Sequence, residues 1–239
     1  MLAHSFLLSL PEVDPARTGV TGISWGAYLA LMATAVDGRF KFSVPVYACG
    51  FLDESSAWVK NFKDIGPEKA ARWSCWWDPK NYLPLIKTPL LLVNGTNDSG
   101  FFFDSTVKSF KLLDGPKWLC LKVRLGHSHP AAYGQQEVYA FADSVVKNGP
   151  AFPRFVKQES AGDVFSGDYE VSAPVRQLVL NYTKDGGPWS GRKWESRVVQ
   201  GDVAKHAFSC PVELDMTAFY FNLIDGNGMV ASTVPIIRQ

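Results

Sequence analysis

The sequence predicts a parallel α/β layer fold over residues 1–149, followed by an all-β sandwich over residues 150–239. Three observations carry that expectation. Apolar runs alternate with helix-prone stretches through the first part, the βα alternation that specifies an α/β layer fold. Beyond Gly149-Pro150 the pattern changes to short alternating strands and turns. Loops bearing a serine, an aspartate and a histidine each follow directly on one of the apolar runs of the first part.

Leu2, Phe6, Leu7 and Leu10 repeat at helical spacing, so the chain is expected to open in a helix that packs on the sheet and is ended by Pro11. Asp14-Pro15-Ala16-Arg17 leads into a short apolar run ending at Thr21. Gly22-Ile23-Ser24-Trp25-Gly26 comes next, and Ala27 to Ala33 then reads as helix. Glycines flanking a serine at this spacing let the backbone turn sharply from strand to helix, which holds the hydroxyl clear of the sheet's carboxyl edge at a helix N-terminus. Phe40 to Tyr47 reads as the next strand. Asp53 to Trp77 reads as an irregular excursion whose Trp58, Trp73, Trp76 and Trp77 either roof a pocket at the strand ends or merely cover the end of the sheet, the position after a strand's carboxyl edge favouring the pocket.

Leu90-Leu91-Leu92-Val93-Asn94 is the continuous apolar run of a strand buried on both faces, and Asp98 falls on the loop just beyond it. Phe103 to Leu113 has mixed helical periodicity. Trp118 to Arg124 is again strand-like, followed by Gly126-His127-Ser128-His129. Gln135 to Lys147 is an amphipathic helix with Val138, Phe141, Ala142 and Val145 on one side. Ser24, Asp98 and a histidine therefore leave the same sheet edge in that chain order, the order of a Ser-Asp-His triad on parallel strands. His127 and His129 share one short loop, and both are candidates for the base.

After Phe152, Trp194, Ser196 and Val198 alternate with charged neighbours, and Phe219, Phe221 and Leu223 with more varied ones. Asp225-Gly226-Asn227-Gly228 supplies a hairpin turn before Met229 to Val234. This spacing predicts an antiparallel sandwich of immunoglobulin type. His206 is the only histidine in this part and reads as a surface or turn residue.

Composition narrows the function classes. A net charge of +1 with no basic cluster speaks against nucleic acid or an anionic membrane as partner. Eight tryptophans suit an aromatic-lined cleft as well as core and seam filling. Cys49, Cys75, Cys120 and Cys210 lack paired spacing, so neither a disulfide framework nor a zinc site is expected, and Cys49 and Cys120 sit in strand contexts that suit buried thiols. Met1 to Leu10 is apolar but has no basic residue and no small-residue cleavage site, a poor signal peptide. No stretch is long enough to span a bilayer.

The elbow at Ser24, the segment Val93 to Asp98 and the loop Gly126 to His129 together resemble bacterial α/β-hydrolases of the acetyl xylan esterase and dienelactone hydrolase group, especially those related to PhoPQ-activated pathogenicity-related proteins. The resemblance covers most of the chain and is specific for fold rather than substrate. It implies Ser24 as nucleophile, His127 as base, with His129 as its rival, and Asp98 as the group that orients the base. It implies no cofactor. The N–H of Trp25 is then one oxyanion donor; Trp73, Trp76 and Trp77 are expected as the substrate pocket from their place after a strand's carboxyl edge, not from the resemblance. The family places about four strands and a second oxyanion donor before the elbow, whereas here the elbow begins at residue 22. An elbow strand at a sheet edge is an association site, so a homo-oligomer paired through that edge is expected.

The leading expectation is a serine carboxylesterase for small acyl esters, with acetyl esters of carbohydrates the choice that the resemblance suggests. A serine peptidase using the same triad is the enzymatic alternative. A silent hydrolase remnant that binds a polysaccharide or protein is the non-enzymatic one. Metal catalysis by His127, His129 and Asp98 is the weakest reading, because a catalytic zinc site takes three protein ligands and a clear supporting shell.

Overall fold

The computed structural model of the chain describes residues 1–238. Its first part builds a parallel sheet in the order β1 (Val20–Ile23), β2 (Ser43–Val46), β3 (Leu90–Gly95) and β4 (Lys117–Lys122). β2 and β3 are buried along their whole lengths, as strands covered on both faces must be. Side chains alternate across the sheet: Leu90 and Leu92 join one apolar cluster with Leu31, Phe110 and Leu119, while Leu91 and Val93 join another with Tyr28, Val46 and Phe141. Helix α1 (Leu2–Leu8) precedes β1, and α2 (Trp25–Val36) follows it. Helices α3 (Val59–Asp64) and α4 (Pro67–Trp77) lie between β2 and β3, α5 (Phe103–Leu112) between β3 and β4, and α6 (His129–Tyr133) and α7 (Gln136–Val146) after β4.

Two local expectations are corrected. The opening helix forms, but Leu2, Phe6 and Leu7 are exposed and only His4 is buried. What fastens α1 is polar: His4 Nδ1 lies 2.9 Å from Asp37 Oδ2, its Nε2 lies 3.0 Å from Thr18 Oγ1, and its ring stacks on Phe40. The stretch Asp53 to Trp77 is not irregular, since it contains α3 and α4. Pro67 at the first position of α4 presets the helical φ, and its inward residues, Ala70 and Trp73, are too few to show a period in the sequence.

The carboxy-terminal part forms two antiparallel sheets. One has the order β5 (Arg154–Ala161), β6 (Val164–Glu170), β9 (Ala207–Pro211). The other runs β11 (Val230–Ser232), β10 (Ala218–Asp225), β7 (Val175–Thr183), β8 (Glu195–Val199), with β12 (Ile236–Ile237) also on β10. The expected turn is present between β10 and β11, where Asp225 Oδ1 accepts the N–H groups of Asn227 and Met229, both at 2.9 Å. The sequence alternation in β10 does not separate core from solvent, because both faces are buried. Phe219, Phe221 and Leu223 meet Phe165 and Phe208 on one side. On the other, Tyr220 joins the cluster of the parallel sheet, and Asn222 Nδ2 donates to the Leu121 carbonyl of β4 at 3.0 Å. The two parts of the chain thus share a packed seam.

Candidate active site

Ser24 occupies the turn between β1 and α2 with φ 57° and ψ −123°. A non-glycine residue held at positive φ costs about 1–3 kcal/mol and persists only where its surroundings fix it. Here the Ser24 N–H donates to the Val46 carbonyl of the neighbouring strand at 3.0 Å, while its carbonyl accepts the Tyr28 N–H at 2.9 Å. Gly22 is needed because a β-carbon there would fall 2.3 Å from the backbone of Gly26. The turn leaves Ser24 Oγ at the carboxyl edge of the sheet, beside the first free N–H groups of α2.

Asp98 lies just past β3 and is fully buried. Its Oδ1 accepts the N–H groups of Gly100 and Phe101 at 2.7 and 2.8 Å, which fixes the carboxylate. His127 follows β4. Its Nδ1 stands 3.0 Å from each Asp98 oxygen and its Nε2 stands 2.8 Å from Ser24 Oγ. The hydrogen bond to Asp98 raises the His127 pKa above that of a free imidazole, with burial opposing part of that rise. His129 is directed elsewhere: it opens α6, capped by Ser128, and its ring faces Tyr133 at 6.3 Å.

Tyr47, which the sequence pattern did not single out, sits just past β2 at φ 61° with its ring 5.0 Å from that of His127. Its hydroxyl is buried with no hydrogen-bond partner among the described residues. Burial, with Asp98 nearby, pushes the phenol pKa up to about 12. The available signal was position alone, since Tyr47 leaves the same edge as Ser24, Asp98 and His127.

An aromatic wall adjoins these groups. Trp25 packs edge-on against Trp58 at 4.8 Å and Tyr28 at 5.0 Å, and Phe101 lies 5.0 Å from Trp58 and 6.0 Å from His127. On the far side of Trp25, the residue after Ser24, a cavity of about 310 Å³ is lined by Trp25 itself with Leu52, Trp58, Asn61, Phe62 and Trp73, among others. Of the four tryptophans expected to roof a pocket, Trp58 and Trp73 line this one. Trp76 and Trp77 are 62% and 57% exposed: they share the face of Trp73 but stand one turn further along the axis, at the carboxyl end of α4, where their backbone carbonyls accept from the Tyr82 and Tyr28 hydroxyls. Leu52 and Phe62 carried no sequence signal beyond being apolar.

Comparison with known proteins bears on family and fold. A model described as the prolyl oligopeptidase family matches residues 1–147. A polyketide transferase of Penicillium crustosum is 50% identical over 44 residues, 18% of this chain and 14% of that protein. Among solved structures, an acetyl xylan esterase from a Paenibacillus species superposes with a TM-score of 0.54 at 26% identity, covering 60% of this chain and 50% of the esterase. A second acetyl xylan esterase, from a Thermoanaerobacterium species, gives 0.51 at 19% identity over 59% of this chain and 50% of its own. The chain therefore spans half the length of these esterases, and the second likeness is one of fold alone.

Proposed function

The chain belongs to the prolyl oligopeptidase family, within the α/β-hydrolase superfamily, and from that membership we propose that it is a serine carboxylesterase acting through Ser24, His127 and Asp98. The observation that carries the reading is the continuous hydrogen-bonded line from Ser24 Oγ through His127 to Asp98, at 2.8 and 3.0 Å. Ser24 Oγ attacks the ester carbonyl while His127 Nε2 takes its proton. Collapse of the tetrahedral intermediate expels the alcohol, which receives that proton, and leaves an acyl-enzyme on Ser24. Water, deprotonated by the same nitrogen, then releases the acid. Asp98 holds the imidazole with its proton on Nδ1 and stabilises the charged form. The Trp25 N–H at the start of α2 donates to the oxyanion.

The aromatic cavity supports a substrate with an apolar group beside the scissile carbonyl, because its lining offers one amide, Asn61, and no charge. Ester cleavage is favoured over peptide cleavage by the likeness to the Paenibacillus acetyl xylan esterase; the family's own description keeps a peptidase as the second reading. Hydrolysis of p-nitrophenyl esters of graded acyl length, beside peptide p-nitroanilides, by wild type and Ser24→Ala tests both. Equal ester rates for the two proteins overturn the assignment, and turnover of the anilides alone replaces it with the peptidase.

For the carboxy-terminal part, an immunoglobulin-type sandwich over residues 150–239 beside a hydrolase domain of 1–149 is the arrangement that the strand orders β5-β6-β9 and β11-β10-β7-β8 support, with the chain crossing repeatedly between two antiparallel sheets.

A further inference from the structure

The loops that carry Asp98 and His127 are both tied to the connection between β7 and β8, residues 184–194, which belongs to the carboxy-terminal sheets. Asn97, the residue before Asp98, donates through Nδ2 to the carbonyls of Arg192 and Ser190 at 2.9 and 3.1 Å and lies 3.4 Å from that of Trp189. Its Oδ1 accepts from the Thr96 hydroxyl at 2.8 Å, and the same hydroxyl accepts the Arg124 N–H at 3.0 Å. Arg124, three residues before His127, is held at φ 58°. Its guanidinium donates to the Trp194 carbonyl at 2.8 Å.

The connection is itself anchored. Phe103, at the start of α5, packs at 5.0 Å on both Trp189 and Trp194, and the Arg192 guanidinium covers the Trp189 ring at 3.5 Å. An amide side chain that satisfies carbonyls on a segment more than ninety residues away is a fixed joint between two pieces of chain. It stands one peptide from the carboxylate it would aim.

We infer that Asn97 is a positioning residue: through Asn97, Thr96 and Arg124, the β7–β8 connection sets the placement of Asp98 and His127, which makes the carboxy-terminal sheets part of the hydrolytic machinery. This rests on the proposed roles of Ser24, His127 and Asp98. A misplacement of about 1 Å costs on the order of 10²-fold in rate, so a joint of this kind acts on kcat rather than on substrate affinity. Loosening the carboxylate also weakens the hydrogen bond that raises the His127 pKa. Apart from Asp98, the titratable group placed against His127 is the Tyr47 phenol.

The test is steady-state ester hydrolysis across pH by the full chain and by Asn97→Ala and Asn97→Asp, the latter keeping the shape while removing the donor. Both variants are expected to lose about tenfold or more in kcat, within the range such misplacement produces, with KM within about twofold. In Asn97→Ala the acid limb of kcat/KM should shift to lower pH, whereas the added carboxylate of Asn97→Asp opposes that shift. Folded variants with unchanged kcat and an unmoved acid limb overturn the inference, even where the melting temperature falls. Should neither variant fold, Arg124→Met at its exposed site carries the same two readouts. A wild type no faster than Ser24→Ala instead refutes the esterase reading itself, a distinguishable failure.

Discussion

Gly95 packs against Leu125 so closely that a β-carbon added to it would lie 1.7 Å from the Leu125 carbonyl oxygen. Gly95 ends β3 and Leu125 lies two residues before His127, so this contact sets the distance between the Asp98 and His127 loops. Gly95→Ala must push the two apart. The expected result is a loss of about 1–3 kcal/mol in stability, as for overpacking generally, with a fall in kcat of on the order of 10²-fold from the displaced imidazole. Thermal unfolding and ester turnover read the two separately, and a variant with wild-type kcat shows that the spacing is not set here.

His127 links activity and stability to pH with opposite signs. Its folded pKa is raised, chiefly by the hydrogen bond it donates to Asp98, so the protonated form is the one favoured by folding. That contribution is fully present below the ordinary imidazole pKa, about 6.5, and is lost as pH rises through the higher folded value. Activity needs the neutral ring and rises over the same interval. Asp98→Asn should remove the rise, move the acid limb of kcat/KM down, and lower the rate by roughly 10⁴-fold through the wrong tautomer. An acid limb that stays in place in this variant contradicts the pairing.

Trp58 forms a wall of the aromatic cavity that Trp25 also lines. Removing a large apolar side chain from a binding site forfeits about 1.5–3 kcal/mol of transfer free energy. Trp58→Ala should therefore raise KM roughly tenfold to a hundredfold for aromatic or long-chain acyl esters while leaving p-nitrophenyl acetate little changed. Equal effects on both substrates place the acyl group elsewhere.

His4 bridges Asp37 and Thr18 at the end of β1 opposite Ser24. His4→Ala leaves the buried Thr18 hydroxyl without its side-chain partner while Asp37 keeps the Arg39 guanidinium, and one unsatisfied buried group costs about 1–3 kcal/mol. Urea denaturation should show a loss in that range with ester turnover retained. Unchanged stability means that the bridge does not hold α1.

The parts legible in the sequence are those where a short pattern has one physical solution. Gly22-Ile23-Ser24-Trp25-Gly26 has few ways to turn other than the one observed, and Leu90 to Val93 has few places to go but between two helical layers. The convergence of Ser24, Asp98 and His127 is legible because each follows such a run. Tyr47 carries no signal because a lone aromatic after a strand has many uses, and the packing of α1 is not legible because spacing alone does not say which face of a helix meets protein. Asn97 was invisible for a different reason: its carbonyl partners lie on a backbone segment more than ninety residues later, and backbone acceptors leave no mark on residue type.

The central claim is that His127 and Asp98 activate the Ser24 hydroxyl. Labelling the folded protein with a fluorophosphonate and locating the adduct by peptide mass spectrometry tests it most directly. The account predicts a single adduct on Ser24, abolished in Ser24→Ala and strongly slowed in His127→Ala. An unlabelled Ser24 in the folded wild type, or labelling that persists at full rate without His127, contradicts it.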